Sequence, residues 1–285
     1  MECTRIELMP AVHLTCVQTD KFKTGCLSIN LLRQLNAKEA SKNALIPRVL
    51  CRGCTQYPDM HSLSAVFNSL YDMSVTPYIR KKGETHCIGL YSDFPDSAYI
   101  PEKDILKRAV EMLCQLLIDP VTRRGLLLSE YVLSEREKLC DDIRSKLNDK
   151  REYAISRLLE SMCADEAYGI GRLGTLEEAA KINAVSLTKY YRKILAESPI
   201  EIFYCGTQNI DTVSRYFISA LSALPRVLDP SQLLSTEVIT EVGDVRCFED
   251  EMDIAQGKLV LGFRLGSIMR APNHAAIMVF NTIYG

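Results

Sequence analysis

Two short stretches near the start of the chain, VHLTCVQ (12–18) and GCLSINLLR (25–33), alternate or run apolar on either side of a polar DKFKT. That pattern predicts two strands, paired with one another. From Ala40 to Cys51 the apolar residues Ala44, Leu45, Val49 and Leu50 recur at helical spacing, Pro47 interrupts them, and Gly53 ends the segment. Pro58 and Asp59 then open a second, amphipathic helix through SLSAVFNSLYD (62–72). MSVTPYIRKKGETHCIGLYSDF (73–94) reads as two strands around a solvated KKGE turn. Strong helical patterns follow at EKDILKRAVEMLCQLLIDP (102–120) and from about Ser129 to Ala164, which lacks Gly and Pro and is predicted to be the longest element. Ser186 caps a helix over SLTKYYRKILAES (186–198), and PIEIFYCG (199–206) is a buried strand. A new unit is expected next: a helix at 209–224, a polar linker from Pro225 to Ser235, a strand at 257–266 and a helix at 274–285. The predicted class is α+β, a two-layer antiparallel sheet with helices packed on one face. Residues 1–206 form a complete domain, and residues 207–285 begin a second, similar one that stops short, so Gly285 reads as the end of a piece.

Composition narrows the function classes. The 285 residues are 47% hydrophobic and 25% charged, with 34 basic against 36 acidic side chains. A net charge of −2 supplies no field that would draw the chain to nucleic acid or an anionic membrane. No apolar run approaches the ~20 residues that span a bilayer, and the first 22 residues carry charges where a signal peptide needs an unbroken apolar stretch. These features predict a cytoplasmic protein. Eleven scattered cysteines suit a reducing compartment with buried thiols.

Two motifs invite chemistry. Gly169, Gly171 and Gly174 spell G-x-G-x-x-G, but a dinucleotide site needs a strand before that turn, and here a helix precedes it. Thr175 with Glu178 fits a capping box that opens the next helix. Cys51 and Cys54 stand at C-x-x-C spacing, at the end of a helix rather than at the helix start that lowers a thiol pKa. The four histidines, His13, His61, His86 and His274, supply no H-x-x-x-H to complete a zinc set. His61 and His86 read as surface or packed side chains.

Several stretches converge on one family. An apolar helix ending in Arg52–Gly53 and followed by Tyr57–Pro58, then EREKLCDDI (135–143), EAYGIGRLGTLEEAAKI (166–182), SLTKYYRKI (186–194) and IAQGKLVLGFRLG (254–266) with HAAIMVFNTIYG, resembles the pitrilysin/insulinase-type zinc peptidases, which include the mitochondrial processing peptidases. DKREYAISRLLESMC (149–163) is most similar to bacterial non-catalytic members that pair with an active homologue. The resemblance covers nearly the whole chain. It implies an inverted zinc motif, H-x-x-E-H, on the helix before the Arg-Gly segment, with a third ligand, a glutamate, on a later helix. Matched through Leu50, Arg52 and Gly53, the histidine positions hold Ala44 and Arg48, the general-base position holds Pro47, and the remote glutamate falls on Asp142. No metal, cofactor or catalytic residue is expected from that set.

What replaces the metal is expected to be Arg48 paired with Asp142, or failing that with Glu135; a Pro47 in mid-helix would swing Arg48 away, whereas a helix that instead starts near Leu45 or Ile46 would hold Pro47 in its first turn and keep the register. The resemblance further implies a catalytically inactive homologue that forms half of a peptide-holding chamber, as a heterodimer with a zinc-bearing partner or by self-association. An exposed sheet edge would take an extended peptide. The alternative is a non-enzymatic binding or scaffold protein, with a redox-responsive Cys51/Cys54 pair.

Overall fold

The computed structural model describes residues 2–227, 239, 243–253, 255–264 and 274–284. Eight strands and nine helices are assigned among them: β1 (Glu2–Met9), β2 (Val12–Gln18), β3 (Thr24–Gln34), α1 (Ala37–Leu50), α2 (Met60–Ser69), β4 (Ser74–Lys82), β5 (Thr85–Pro95), α3 (Ile105–Ile118), β6 (Thr122–Arg123), β7 (Leu126–Leu127), α4 (Ser129–Ser145), α5 (Lys150–Met162), α6 (Leu176–Ala180), α7 (Ala184–Glu197), β8 (Ile200–Gly206), α8 (Ile210–Ala220) and α9 (His274–Tyr284). Six strands make one sheet in the order β1-β2-β8-β3-β5-β4.

Alternation along the strands decides which face is covered. Leu14, Leu27, Ile29, Ile88, Leu90, Ile202 and Tyr204 point to one side and are essentially solvent-free, and there α1, α3 and α8 pack against them. Burying one such side chain stabilises by ~1.5–3 kcal/mol, so this face holds most of the stability. Helices on one face of a sheet is the expected layering. The sheet, however, is mixed: β8 runs parallel to β2 and antiparallel to β3. The expected pairing of β2 with β3 is therefore absent, because β8 lies between them. A strand that buries Ile200, Ile202 and Tyr204 gains from two neighbours, and the link at residues 19–23 is long enough to cross the two strand spacings, ~10 Å.

Other boundaries also move. The expected long helix from Ser129 is two, because Asp149 accepts hydrogen bonds from the main-chain N–H of Arg151 (2.9 Å) and Glu152 (3.0 Å) and so starts a new helix. α7 begins at Ala184, since Asn183 is its cap and Ser186 returns the bond as the third residue of a capping box. β1 was not foreseen: an edge strand needs apolar residues only at alternate places, and Ile6 and Leu8 supply them. α8 packs on α3 and places Val213 and Phe217 in the same core, with Leu221 and Leu224 from the turn that follows it. Residues 257–264 form no strand, and the remainder of that expected strand, most of the expected linker and Gly285 lie outside the described residues. α9 matches its expectation.

Candidate functional site

The helix that carries Ala44, Pro47 and Arg48 is specified at both ends. Asn36 caps α1 by accepting the Lys38 N–H at 2.9 Å, Glu39 lies in its first turn and Arg48 in its last, each complementing the helix dipole. α1 thus begins eight residues before Leu45, and Pro47 sits in its last turn, not its first. The register of Arg48 therefore survives without a start near Leu45 or Ile46. Proline there removes only the N–H that would reach back to Asn43, and the helix continues in register to Leu50, with the Cys51 N–H bonded to the Pro47 carbonyl at 3.1 Å.

Preserved register delivers the expected contact. Arg48 Nη1 lies 2.6 Å from Asp142 Oδ2 on α4, with the guanidinium largely covered and the carboxylate half exposed. A second pair was not foreseen. Arg52, one turn further on, reaches the buried Glu135 at 3.3 Å, and Lys138 reaches the same oxygen at 2.7 Å. The Arg52 guanidinium also lies over the Tyr131 ring, 5.0 Å from its centroid. Positions 48 and 52 meet 142 and 135 in reverse order, so α1 and α4 run antiparallel, joined by two ion pairs. Part of the signal was in the sequence: Glu135 and Asp142 share one face of α4, and Arg52 follows Arg48 by four residues, in the turn that ends α1.

This set does not fit zinc. Ala44 is fully buried and carries only a methyl group, Pro47 has no proton acceptor, Arg48 is a cation, and the one carboxylate of the four, Asp142, is engaged by Arg48. A single carboxylate, already paired with Arg48, falls short of the three protein ligands of an open zinc site.

The glycine and cysteine motifs resolve by packing. Gly174 takes a positive φ of 70°, and a Cβ there would come within 2.1 Å of Ser41 Oγ; the Ser41 hydroxyl donates to the carbonyls of Leu173 and Thr175. The G-x-G-x-x-G run is thus a loop clamped to α1, after a helix and not after a strand. Thr175 accepts the Glu178 N–H at 3.2 Å as the N-cap, while the Glu178 carboxylate turns to Lys181. Burial, and after it Glu135, pushes the Cys51 thiol up to about 12, and burial likewise raises Cys54. Attack on a disulfide needs a thiolate, so both shifts act against the redox reading.

A polar network lies beneath α1 that the sequence reading missed. His86, on β5, is fully buried, with its Nδ1 3.2 Å from Asn43 Nδ2. The Tyr190 hydroxyl sits 2.8 Å from Asn43 Oδ1 and 3.0 Å from Glu39 Oε2, and Arg33 lies within 3.7 Å of Glu39 and Glu197. Burial lowers the His86 pKa to about 4, with the Arg172 carbonyl opposing and the charges of Lys81 and Arg172 adding to the shift. His61 is exposed.

β4 forms one edge of the sheet, and among the described residues no strand pairs with its outer side. Gly83 and Glu84 make the two-residue turn into β5, yet Glu84 is buried, so the KKGE turn is less solvated than expected.

No family model matches the chain. It is 27% identical over 270 residues to the probable inactive metalloprotease YmfF of Bacillus subtilis (strain 168), a match that takes in 94% of this chain and 63% of that protein. A conserved protein from Enterococcus faecalis V583 has a similar structure, with a TM-score of 0.73 at 28% identity over 79% of this chain and 53% of the other. The peptidase M16 inactive domain from Pseudomonas fluorescens shares the fold at 11% identity, with a TM-score of 0.61 over 80% of this chain and 53% of that one. The chain thus spans less than two thirds of the curated relative and about half of these solved structures. Among the described residues no helix is long and apolar enough to cross a membrane.

Proposed function

We propose that this chain, a non-catalytic homologue of the pitrilysin-type (M16) peptidases, forms half of a peptide-holding chamber with a zinc-bearing homologue and takes no part in bond cleavage itself. The observation that carries the reading is the Arg48–Asp142 pair. By the resemblance it stands where the family's metal set would lie, and the fold around it is shared with the peptidase M16 inactive domain. A chain that walls a chamber has reason to keep that fold once the metal set is lost, whereas a generic scaffold does not. In this reading the peptide runs along β4, whose main chain pairs with many sequences and so suits a wall that holds without cutting.

The reading extends to residues 207–285 as the start of a second, related half, to a bacterial host and to an intracellular setting. Copurification of the tagged full chain from its native host tests it. A zinc-peptidase homologue with intact H-x-x-E-H should elute with the chain at equal stoichiometry and cleave peptides faster in its presence. Elution of the chain alone, with no change in that homologue's activity when the two are mixed, would defeat the proposal.

A further inference from the structure

The outer edge of β4 carries a charge pattern that the chamber reading does not require. Lys82 and Thr85 close the hairpin, and register then alternates residue by residue, so the main-chain groups of Val75, Pro77, Ile79 and Lys81 face away from β5. Pro77 falls among the outward positions, where its missing N–H removes no ladder bond. Ile79 and Lys81 present both a donor and an acceptor. The half of the edge next to the hairpin is therefore the half able to pair fully with an added strand.

Cations gather at that half. The Lys81 ammonium turns to the loop after α5, donating to the carbonyls of Tyr168 at 2.7 Å and Ile170 at 3.3 Å, with the Tyr168 ring 4.3 Å away. Two residues on, Arg172 is exposed, and Lys146 at the end of α4 has its ammonium 3.7 Å from where a Cβ on Gly171 would stand. Arg80 and Lys82 are exposed on β4 itself. Burial depresses the Lys81 pKa, and Lys146 pushes it the same way, while Cys163 and Glu160 oppose.

What distinguishes this corner is the gathering of five cations at one open edge, with Glu160 acting on Lys81 from beyond ion-pair distance. Arg5, Arg33, Arg48, Arg52, Arg123, Arg144, Arg157 and Lys181 all have carboxylate partners. Among the described residues, Arg80, Lys81, Lys82, Lys146 and Arg172 have no carboxylate within 4.0 Å. Five cations around one open strand edge repel each other and lower the potential energy of any anion laid there. Asp142, the nearest acid on the α4 face one turn before Lys146, is neutralised by Arg48.

We infer that the β4 edge from Ile79 to Lys82 takes an extended peptide rich in acidic side chains, paired through the main chain and selected by Arg80, Lys82, Lys146 and Arg172. The inference rests on the strand-addition reading above and adds the substrate class. On a chain of net charge −2, such a local excess of positive charge selects a sequence type, which main-chain pairing alone cannot do.

Fluorescence anisotropy with the full chain and three labelled dodecapeptides, alternating Thr with Glu, with Gln or with Lys, tests it. The Glu peptide should bind roughly tenfold more tightly than the Gln peptide at 50 mM salt and lose that preference at 0.5 M, where charges more than a few ångströms apart are screened. The combined R80Q, K82Q and R172Q variant, all at exposed positions, should bind the Glu and Gln peptides alike, with Gln-peptide affinity unchanged. Equal binding of all three peptides to the native chain, or a preference for Lys, would overturn the acidic selection and leave strand addition standing. Absence of binding by any of them would overturn both.

Discussion

Arg48 and Asp142 meet at 2.6 Å across the antiparallel pair α1 and α4, and a second pair, Arg52 just past the end of α1 and Glu135 two turns earlier on α4, lies at 3.3 Å. Their surroundings differ. Asp142 is about half exposed and Glu135 is almost wholly covered, so the two bridges should make unequal contributions although they join the same helices.

E135Q takes the buried negative charge from two cations, Arg52 and Lys138, and should cost ~2–4 kcal/mol. D142N removes a carboxylate that water can replace, and should cost less than ~1 kcal/mol. Urea unfolding of the two variants measures the difference. Equal costs, or the reverse order, would show that the degenerate site is held by Arg48 rather than by its neighbour.

His86 makes stability depend on pH. Its folded pKa is depressed to about 4 against 6.5 in the unfolded chain, so between these values the unfolded state binds the proton that the folded state refuses. Stability is therefore unaffected above pH ~6.5, falls as the pH drops towards 4, and the full loss is on the order of 3 kcal/mol. In H86Q this pH-dependent component should vanish, even though the variant starts from a lower stability. Parallel pH profiles for the native chain and H86Q would refute the assignment.

Thiol reactivity separates the two early readings of the C-x-x-C pair. Cys3 and Cys247 are exposed and should alkylate within minutes at pH 8, whereas Cys51, Cys54 and Cys114 should react only as the chain unfolds. Mass spectrometry of the labelled peptides reads the order. Rapid labelling of Cys51, or its ready oxidation with Cys54, would restore the redox alternative.

The parts of this molecule that were legible in the sequence are those where a local pattern coincides with the tertiary answer. The hairpin of β4 and β5 announces itself by alternation around Gly83, and the degenerate motif by Arg52–Gly53, whose glycine leaves no room for a side chain against the Pro58 carbonyl, 2.7 Å from a would-be Cβ. The Arg48 contact was foreseen because the resemblance placed Arg48 and Asp142 at two positions of one metal set, and residues of one set must face each other. What stayed hidden depends on partners remote in sequence. β8 enters between β2 and β3 from 180 residues away, and nothing in DKFKT tells whether its flanking strands pair or part. The Asn43, His86 and Tyr190 network draws one residue from each of three elements, so each looks ordinary alone. Asp149 was overlooked as a helix start because no glycine or proline accompanies it.

The central claim is that Ala44, Pro47, Arg48 and Asp142 have exchanged metal chemistry for a structural ion pair, and metal analysis of the purified full chain combined with a peptide-cleavage assay tests it most directly. The account predicts no stoichiometric zinc after equilibration with the metal, no chelator-sensitive hydrolysis, and no change in either on substituting Asp142 by asparagine. One zinc per chain, lost in D142N together with a peptidase activity that chelator abolishes, would contradict it.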